Sequence, residues 1–359
     1  MAPPEFVAPE SVTPDPGVGS WDAQRGPAPA RIQPTSQATT ETAAPGAATR
    51  LLVVVLNYNG LDDTLACLDS LRAQSCAGMA TLVIDNASRA DDLGRIAGRF
   101  PEVEVIRLAE NRGWAGGNNV GLRLALERGF AHVCLLNNDT VLPPDTLAEM
   151  LAAAAAVGAP CMMMPLIHYF DDPDQAQVAP GPAPATPDEA ARLLAERHGV
   201  VEIPWAYGAC LLLPAALVRR VGLLDERFFL QLEEQDYYRR ARRLGLRSYC
   251  ARRARILHKE SASFGARVTP AKTYYQVRNS LLLAEKHDAT LAGLPRALRE
   301  LLWLLRNQAA LSSPQAATGL GFLRWLGSAD ALARAARQGA GDYLRRRFGP
   351  RPAGRGSAA

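Results

Sequence analysis

Hydrophobic positions along this chain follow two rhythms, and the switches between them mark its elements. Order is expected to begin at Leu51-Leu52-Val53-Val54-Val55-Leu56, a continuous apolar run typical of a strand buried on both faces. Leu65, Cys67, Leu68 and Leu71 then recur at helical spacing between residues 62 and 74. The same alternation predicts strands at 81–84, 103–106 and 131–136, with helices at 91–99 and 115–128 between them. Strand and helix in regular succession imply an α/β fold, a doubly wound and mainly parallel sheet flanked by helices.

Beyond this block the rhythm loosens. Pro143 and Pro144 are expected to open a helix running to about 157. Residues 150–167 carry no charge, but Gly158, Pro160 and Pro165 interrupt them, short of the ~20 strongly apolar residues of a membrane span. They read as a helix end followed by a buried strand, and no transmembrane helix is expected. Residues 170–200 read as a loop with a short helix, 209–213 as a strand, and 233–244 as a helix. Two short strands at 247–250 and 255–258 follow, and from Thr273 the chain turns helical, without internal repeats. Four regions result. Residues 1–49, rich in Pro and Ala and without periodicity, are expected to be disordered; 50–290 form the α/β domain; 291–348 form a basic amphipathic helical extension; 349–359 form a disordered tail.

Composition sharpens the picture in two places. At 359 residues and 48% hydrophobic, the chain builds one large domain or two small ones. The net charge of +4 is mild, yet eleven arginines face only Glu300, Asp330 and Asp342 after residue 290, so the extension is basic and the rest acidic. Trp303, Phe322, Trp325, Tyr343 and Phe348 punctuate this basic stretch. They either lie on an anionic membrane surface or pack under solvated helices, and the sequence leaves both open. Six scattered cysteines without a CxxC pair read as free thiols in a reducing compartment. The N-terminus lacks the basic start and apolar core of a signal peptide. A cytoplasmic protein is therefore expected, peripheral at the inner face of the membrane if the extension touches lipid. The arginines of 239–255 come with no nucleic-acid recognition module, so no nucleic-acid partner is expected.

The candidate chemistry sits at strand ends. Asn137-Asn138-Asp139-Thr140 follows an apolar strand and puts a carboxylate at the carboxyl edge of the sheet, where open α/β folds bind ligands. Mg²⁺ or Mn²⁺ shared with a diphosphate suits that place, though Asn and Asp are also ordinary turn residues. Asp85-Asn86-Ala87-Ser88 ends another strand; it either reaches the edge of a nucleotide base or caps the next helix. Asn111-Arg112-Gly113-Trp114-Ala115-Gly116-Gly117-Asn118-Asn119 precedes a helix, where glycines allow close backbone approach and the helix start attracts phosphate. Asn57-Tyr58-Asn59-Gly60 stands where a dinucleotide fingerprint would follow the first strand, and no phosphate-cradling Gly-Lys-Ser/Thr occurs. Glu233-Glu234-Gln235-Asp236 opens a helix whose last turn is basic. That order complements the helix dipole, and it equally suits a general base facing a cleft. His258 ends an apolar strand and is an ordinary structural histidine unless the fold brings it to Asp139.

In this order the motifs resemble those of glycosyltransferase family 2 enzymes of the GT-A fold, over about residues 51–287. The nearest branch is the rhamnosyltransferase-like one of bacterial surface polysaccharide synthesis. Asp171-Asp172-Pro173-Asp174, Gly208-Ala209-Cys210, Asp225-Glu226-Arg227-Phe228-Phe229, His258-Lys259-Glu260-Ser261 and the stretch from Tyr274 to Asn279 complete the resemblance. It implies an inverting, metal-dependent transfer from a dTDP- or UDP-linked sugar, rhamnose among the candidates, to a hydroxyl of a glycan or lipid-linked glycan. Asp85 would read the base, with Asn86 and Ser88 beside it. Asn57, Tyr58 and Asn59 would line the nucleotide pocket. Asn111, Gly117, Asn118, Asn137 and Arg278 would meet the sugar nucleotide. Asp139 and His258 would hold Mg²⁺ or Mn²⁺. Glu234 would be the base, with Glu233 and Asp236 as alternatives. Two departures stand out: the metal turn carries one carboxylate where many relatives have an acidic pair, and Glu234 is one methylene longer than the usual aspartate. A sugar-nucleotide-binding scaffold without catalysis is the alternative these departures leave.

Overall fold

The computed structural model of the chain describes residues 30–32, 50–89, 92–178, 199–205, 207–259, 268–289, 293–312 and 314–352. Its first half is the expected alternation: β2 (Leu51–Asn57), α1 (Leu61–Arg72), β3 (Met79–Asp85), α2 (Asp92–Arg99), β4 (Glu104–Arg107), α3 (Gly113–Glu127) and β5 (His132–Asn137). The edge strand β1 (Ala30–Ile32) runs antiparallel to β4. This corrects the expectation of disorder throughout 1–49, because the backbone of these three residues completes the open edge of β4; the rest of that segment lies outside the described residues.

β2, β3, β4 and β5 are mutually parallel where they pair, with β2 between β3 and β5. The chain winds one way from β2 to β4 and then crosses back to β5, so the crevice between the carboxyl ends of β2 and β5 is the topological switch point. Period-two alternation explains the layering. Leu51, Val53 and Val55 face a core shared with α1, α2 and α4 (Thr146–Val157). Leu52 and Val54 face a second core with α3, α5 (Ala215–Val221) and α6 (Glu233–Arg243).

The remaining strands are β6 (Thr140–Val141), β7 (Met162–Tyr169), β8 (Ala176–Val178), β9 (Val200–Ile203), β10 (Cys210–Pro214) and β11 (Ser248–His258). β10 pairs antiparallel with both β5 and β7, while β7 and β11 run parallel. The two short strands expected at 247–250 and 255–258 are one strand, β11. Its register against β7 shifts between Ala251 and Arg255, and that irregularity produced the apparent break. The helix expected after Pro143 starts at Thr146, whose hydroxyl donates to the carbonyl of Arg255. The short helix expected within 170–200 falls on residues outside the described set, and α5 was not anticipated. All six cysteines are free thiols.

Four helices follow: α7 (Pro270–His287), α8 (Gly293–Ser312), α9 (Gly319–Gly327) and α10 (Ala331–Leu344). α10 crosses α7 closely at Gly339, where a Cβ would lie 2.5 Å from the Tyr274 carbonyl oxygen. Tyr274 Oη donates to Asp342 at 3.0 Å. Of the aromatic residues singled out for membrane contact, Phe322 and Trp325 are buried with Ala309 and Ala333, and Phe348 packs near Phe228. Tyr343 donates to Glu285. Only Trp303 of the five is exposed. The expected tail at 349–359 is held at its start, since Gly349 accepts from Arg278 and the Arg351 amide donates to Tyr275 Oη; residues 353–359 are outside the described set. Among the described residues no helix is long and apolar enough to cross a membrane.

Candidate active site

A cleft of about 660 Å³ opens at the switch point, lined from β2, the start of α3, the β5–β6 turn, the loop before α6, and α7. One corner is built by backbone pairing. β6 lies antiparallel to the end of β11, with His258 opposite Thr140, and the Lys259 amide donates to the Asp139 carbonyl at 3.0 Å. His258 Nε2 and Asp139 Oδ1 thereby come within 3.4 Å, both nearly buried. His258 Nδ1 is 2.8 Å from Gln177 Oε1 on β8. With the proton on Nδ1, where Gln177 Oε1 would accept it, the Nε2 lone pair faces the carboxylate. Two electron-rich atoms held together in a buried corner are the donor set of a cation site, and a ring orientation fixed from behind is usual for ligating histidines. The fit to Mg²⁺ or Mn²⁺ is one nitrogen and one oxygen, leaving further positions to diphosphate and water. Among the described residues no third His, Cys, Asp or Glu joins them.

The opposite wall is a strained loop. Phe229, Gln231 and Leu232 all have positive φ, at 63°, 70° and 70°, and none is glycine. Such residues cost on the order of 1–3 kcal/mol each unless their surroundings hold them. Asn279 does so: its Nδ2 donates to the carbonyls of Phe228, Leu230 and Gln231 at 2.9, 2.8 and 2.7 Å. Gly113 meets the loop from the other side. Its φ is +69°, a Cβ there would collide with the Phe229 carbonyl, and the Trp114 amide donates to that carbonyl at 2.7 Å.

The loop delivers Glu233 and Glu234 to the cleft at the start of α6. Burial, and then the neighbouring Glu234, push the Glu233 carboxyl well above its ordinary range. Its Oε2 is buried with no hydrogen-bond partner among the described residues. Burial pushes the half-buried Glu234 up to about 7. Asp236 differs. Against the upward push of its burial, His287, Arg240 and Lys286 hold its carboxyl below the usual carboxylate range. Its oxygens lie 2.8 Å from His287 Nε2, 2.9 Å from Arg240 Nε and 2.6 Å from Lys286 Nζ. A fully buried carboxylate clamped by Arg240, Lys286 and the His287 ring is a fastening of α6, and it does not line the cleft.

Of the residues singled out in the sequence, Tyr58, Asn86, Asn111, Asn137, Asp139, Glu233, Glu234 and His258 line the cleft together. Eight others do not, and each has a structural task. Asn57 Nδ2 donates to Asp85, Ser88 and Asp92 at 3.0, 3.2 and 3.1 Å, while its oxygen accepts from Thr64. Asp85 is 0% exposed, taken up by Asn57 and Ser88 with Arg107 3.6 Å away. Asn59 Oδ1 accepts from the Arg89 amide, closing the same knot. Gly117 faces the Leu56 side chain, so its missing Cβ serves the packing of α3 on β2 and not ligand approach. Asn118 donates to the Trp114 carbonyl and is buried. Arg278 spends its Nε and Nη donors on Asn279 Oδ1, Tyr274 Oη and the carbonyls of Arg227, Phe228 and Gly349. That leaves no N–H of its guanidinium for a ligand. Asp236 completes the eight. Sequence reasoning missed Trp114, Tyr207, Lys272, Tyr275 and Gln276 on the cleft wall. Trp114 carried a signal, a large aromatic between small residues at a helix start; its Nε1 donates to Asn137 at 2.9 Å.

Comparison with known proteins agrees with this architecture. The profile of Glycosyl transferase family 2 matches residues 52–207. A low-salt glycan biosynthesis hexosyltransferase of Haloferax volcanii is 23% identical over 202 residues, covering 54% of this chain and 62% of the relative. The chain thus spans under two thirds of that relative's length. The N-acetylglucosaminyl-diphospho-decaprenol L-rhamnosyltransferase of Mycobacterium tuberculosis is 27% identical over 290 residues, covering 73% of this chain and 91% of the relative. A mannosyltransferase from Pyrobaculum calidifontis, solved with GDP-Man and Mn²⁺, superposes with a TM-score of 0.50 at 19% identity and covers 84% of each chain. Residues 52–207 of the α/β domain, which hold most of the sheet and one side of its edge cleft, are thus similar to Glycosyl transferase family 2.

Proposed function

We propose that the protein transfers a sugar, with inversion, from a nucleotide-diphosphate sugar to a hydroxyl of a glycan or lipid-linked glycan. The observation that carries this reading is the convergence, in one cleft, of the Asp139–His258 corner and of Glu234, the carboxyl whose burial raises it to about 7. Glu234 takes the proton of the acceptor hydroxyl; a base whose pKa lies near neutral pH is suited to that task. The hydroxyl oxygen bonds to the anomeric carbon on the face opposite the diphosphate, and the bond from that carbon to the diphosphate oxygen breaks. No covalent sugar–enzyme bond forms. Asp139 and His258 would hold Mg²⁺ or Mn²⁺, which when bound supplies positive charge beside the departing diphosphate.

The donor set of one oxygen and one nitrogen supports a cation completed by diphosphate oxygens. Tyr58 and Trp114 both line the cleft and offer flat apolar surface suited to a base or sugar ring. The mycobacterial relative's name supports a rhamnosyl donor, dTDP- or UDP-linked, as the first to be tested. A nucleotide-sugar donor and six free thiols both fit the cytoplasm.

The test is a panel of UDP-, dTDP- and GDP-sugars with and without Mn²⁺, followed by thermal shift and by donor hydrolysis. At least one donor is expected to raise the melting temperature only with the metal, and Asp139→Ala to lose that dependence. Nucleotide binding without hydrolysis or transfer of any donor would favour the scaffold alternative.

A further inference from the structure

Exposed apolar side chains are concentrated on the C-terminal helices. Of the twelve large exposed ones among the described residues, eight lie on α8, α9 and α10. On α8, Leu294, Leu298 and Leu302 recur every fourth residue, and Trp303 beside them is 67% exposed. On α9, Leu320 and Leu323 are 70% and 61% exposed. These helices already fill an inner face with Ala309, Phe322, Trp325 and Ala333, so the outer leucines are a second apolar face, exposed among the described residues. Leu294 and Leu298 also wall an apolar groove of about 620 Å³ between α7 and α8, which the exposed row therefore borders.

Charge on this face is mainly positive. Arg299 and Arg306 on α8 and Arg324 on α9 are exposed among the leucines. Arg306 lies 5.8 Å from the centre of the Phe322 ring, joining the two helices next to Leu323. Of the three acids in these helices, Asp330 caps α10 and Asp342 accepts from Tyr274, leaving Glu300 alone to oppose the arginines.

We infer that the outer face of α8 and α9 docks in the plane of an anionic lipid bilayer, with Leu298, Leu302, Trp303 and Leu323 among the acyl chains and Arg299 and Arg324 at the headgroups. An apolar face with a basic rim and an exposed tryptophan is the composition that binds such surfaces. A second copy of the chain fits less well, because a two-fold interface would set these arginines against themselves. The inference deepens the proposed transfer by placing its acceptor at a membrane, but vesicle binding is independent of turnover, so the two readings fail separately.

The test floats the full chain with vesicles of phosphatidylcholine alone or with a third phosphatidylglycerol. Wild type is expected to float with the anionic vesicles and to be released by high salt. Leu298→Glu with Leu302→Glu, and separately Arg299→Gln with Arg324→Gln, should each lower the bound fraction about tenfold at unchanged melting temperature. The second pair changes only exposed side chains and guards against a folding defect in the first. The inference is overturned if wild type does not float, if both variants float as wild type does, or if wild type is a dimer that the leucine variant splits without lipid.

Discussion

Glu233 is buried and Glu234 beside it half-buried, while Asp236, two residues on, is held by Arg240, Lys286 and His287. One helical turn therefore holds carboxyls displaced in opposite directions, and the displacement separates their tasks. Asp236, held low, contributes stability that is present above the ordinary aspartate pKa and lost as pH falls. Glu234, held high, acts with the reverse sign: the folded state binds its proton up to about pH 7, so its contribution falls as pH rises from its ordinary value toward 7. For the reaction the same shift predicts that kcat/KM climbs about tenfold per pH unit below about 7 and levels above it. A pH–rate profile on the best donor checks this, and a flat profile from pH 5 to 8 would remove Glu234 from the base role. The acidic cluster was legible as chemistry in the sequence, but the division of labour within it was not. Spacing shows three acids on one turn; only the fold brings His287 and Lys286 from the far end of α7 onto Asp236.

The decisive element is the loop from Phe229 to Leu232, which presents Glu233 and Glu234 from a backbone that nothing in its composition favours. Phe, Gln and Leu are poor residues for positive φ, so no sequence rule marks this loop as special. The residues that hold it, Asn279 and Gly113, were legible only as parts of motifs, and no signal in the sequence marks this glycine as meeting the Phe229 carbonyl. Gly113→Ala should therefore destabilise the fold by about 1–3 kcal/mol, through positive φ and the collision together. It should also lower kcat more than it raises donor KM. Denaturant titration and steady-state kinetics read the two effects; an alanine variant of wild-type stability would show that the loop does not need this joint. By contrast the order β2 to β5 was readable nearly whole, because continuous apolar runs between helical repeats have few other solutions. β1 and β9 were missed because such short strands show no period of their own, and neither lies in the regular strand–helix succession that marked β4.

At the scale of the molecule, the α/β domain supplies the sheet edge and the C-terminal helices brace it. α10 grips α7 at Gly339 and Asp342, α7 pins the loop through Arg278 and Asn279, and the loop sets Glu234 against the corner made by β6 and β11. The extension that reads as a basic appendage in the sequence is thus part of the support of the site. Its buried aromatics could not be told from exposed ones until their helices had partners. All of this converges on one group, and the most direct measurement is turnover of nucleotide sugar with Mn²⁺ by wild type and by Glu234→Gln at pH 7.5. The predicted result is a loss of kcat on the order of 10²–10⁴-fold with donor binding unchanged. Near-full turnover by the glutamine variant would contradict the account.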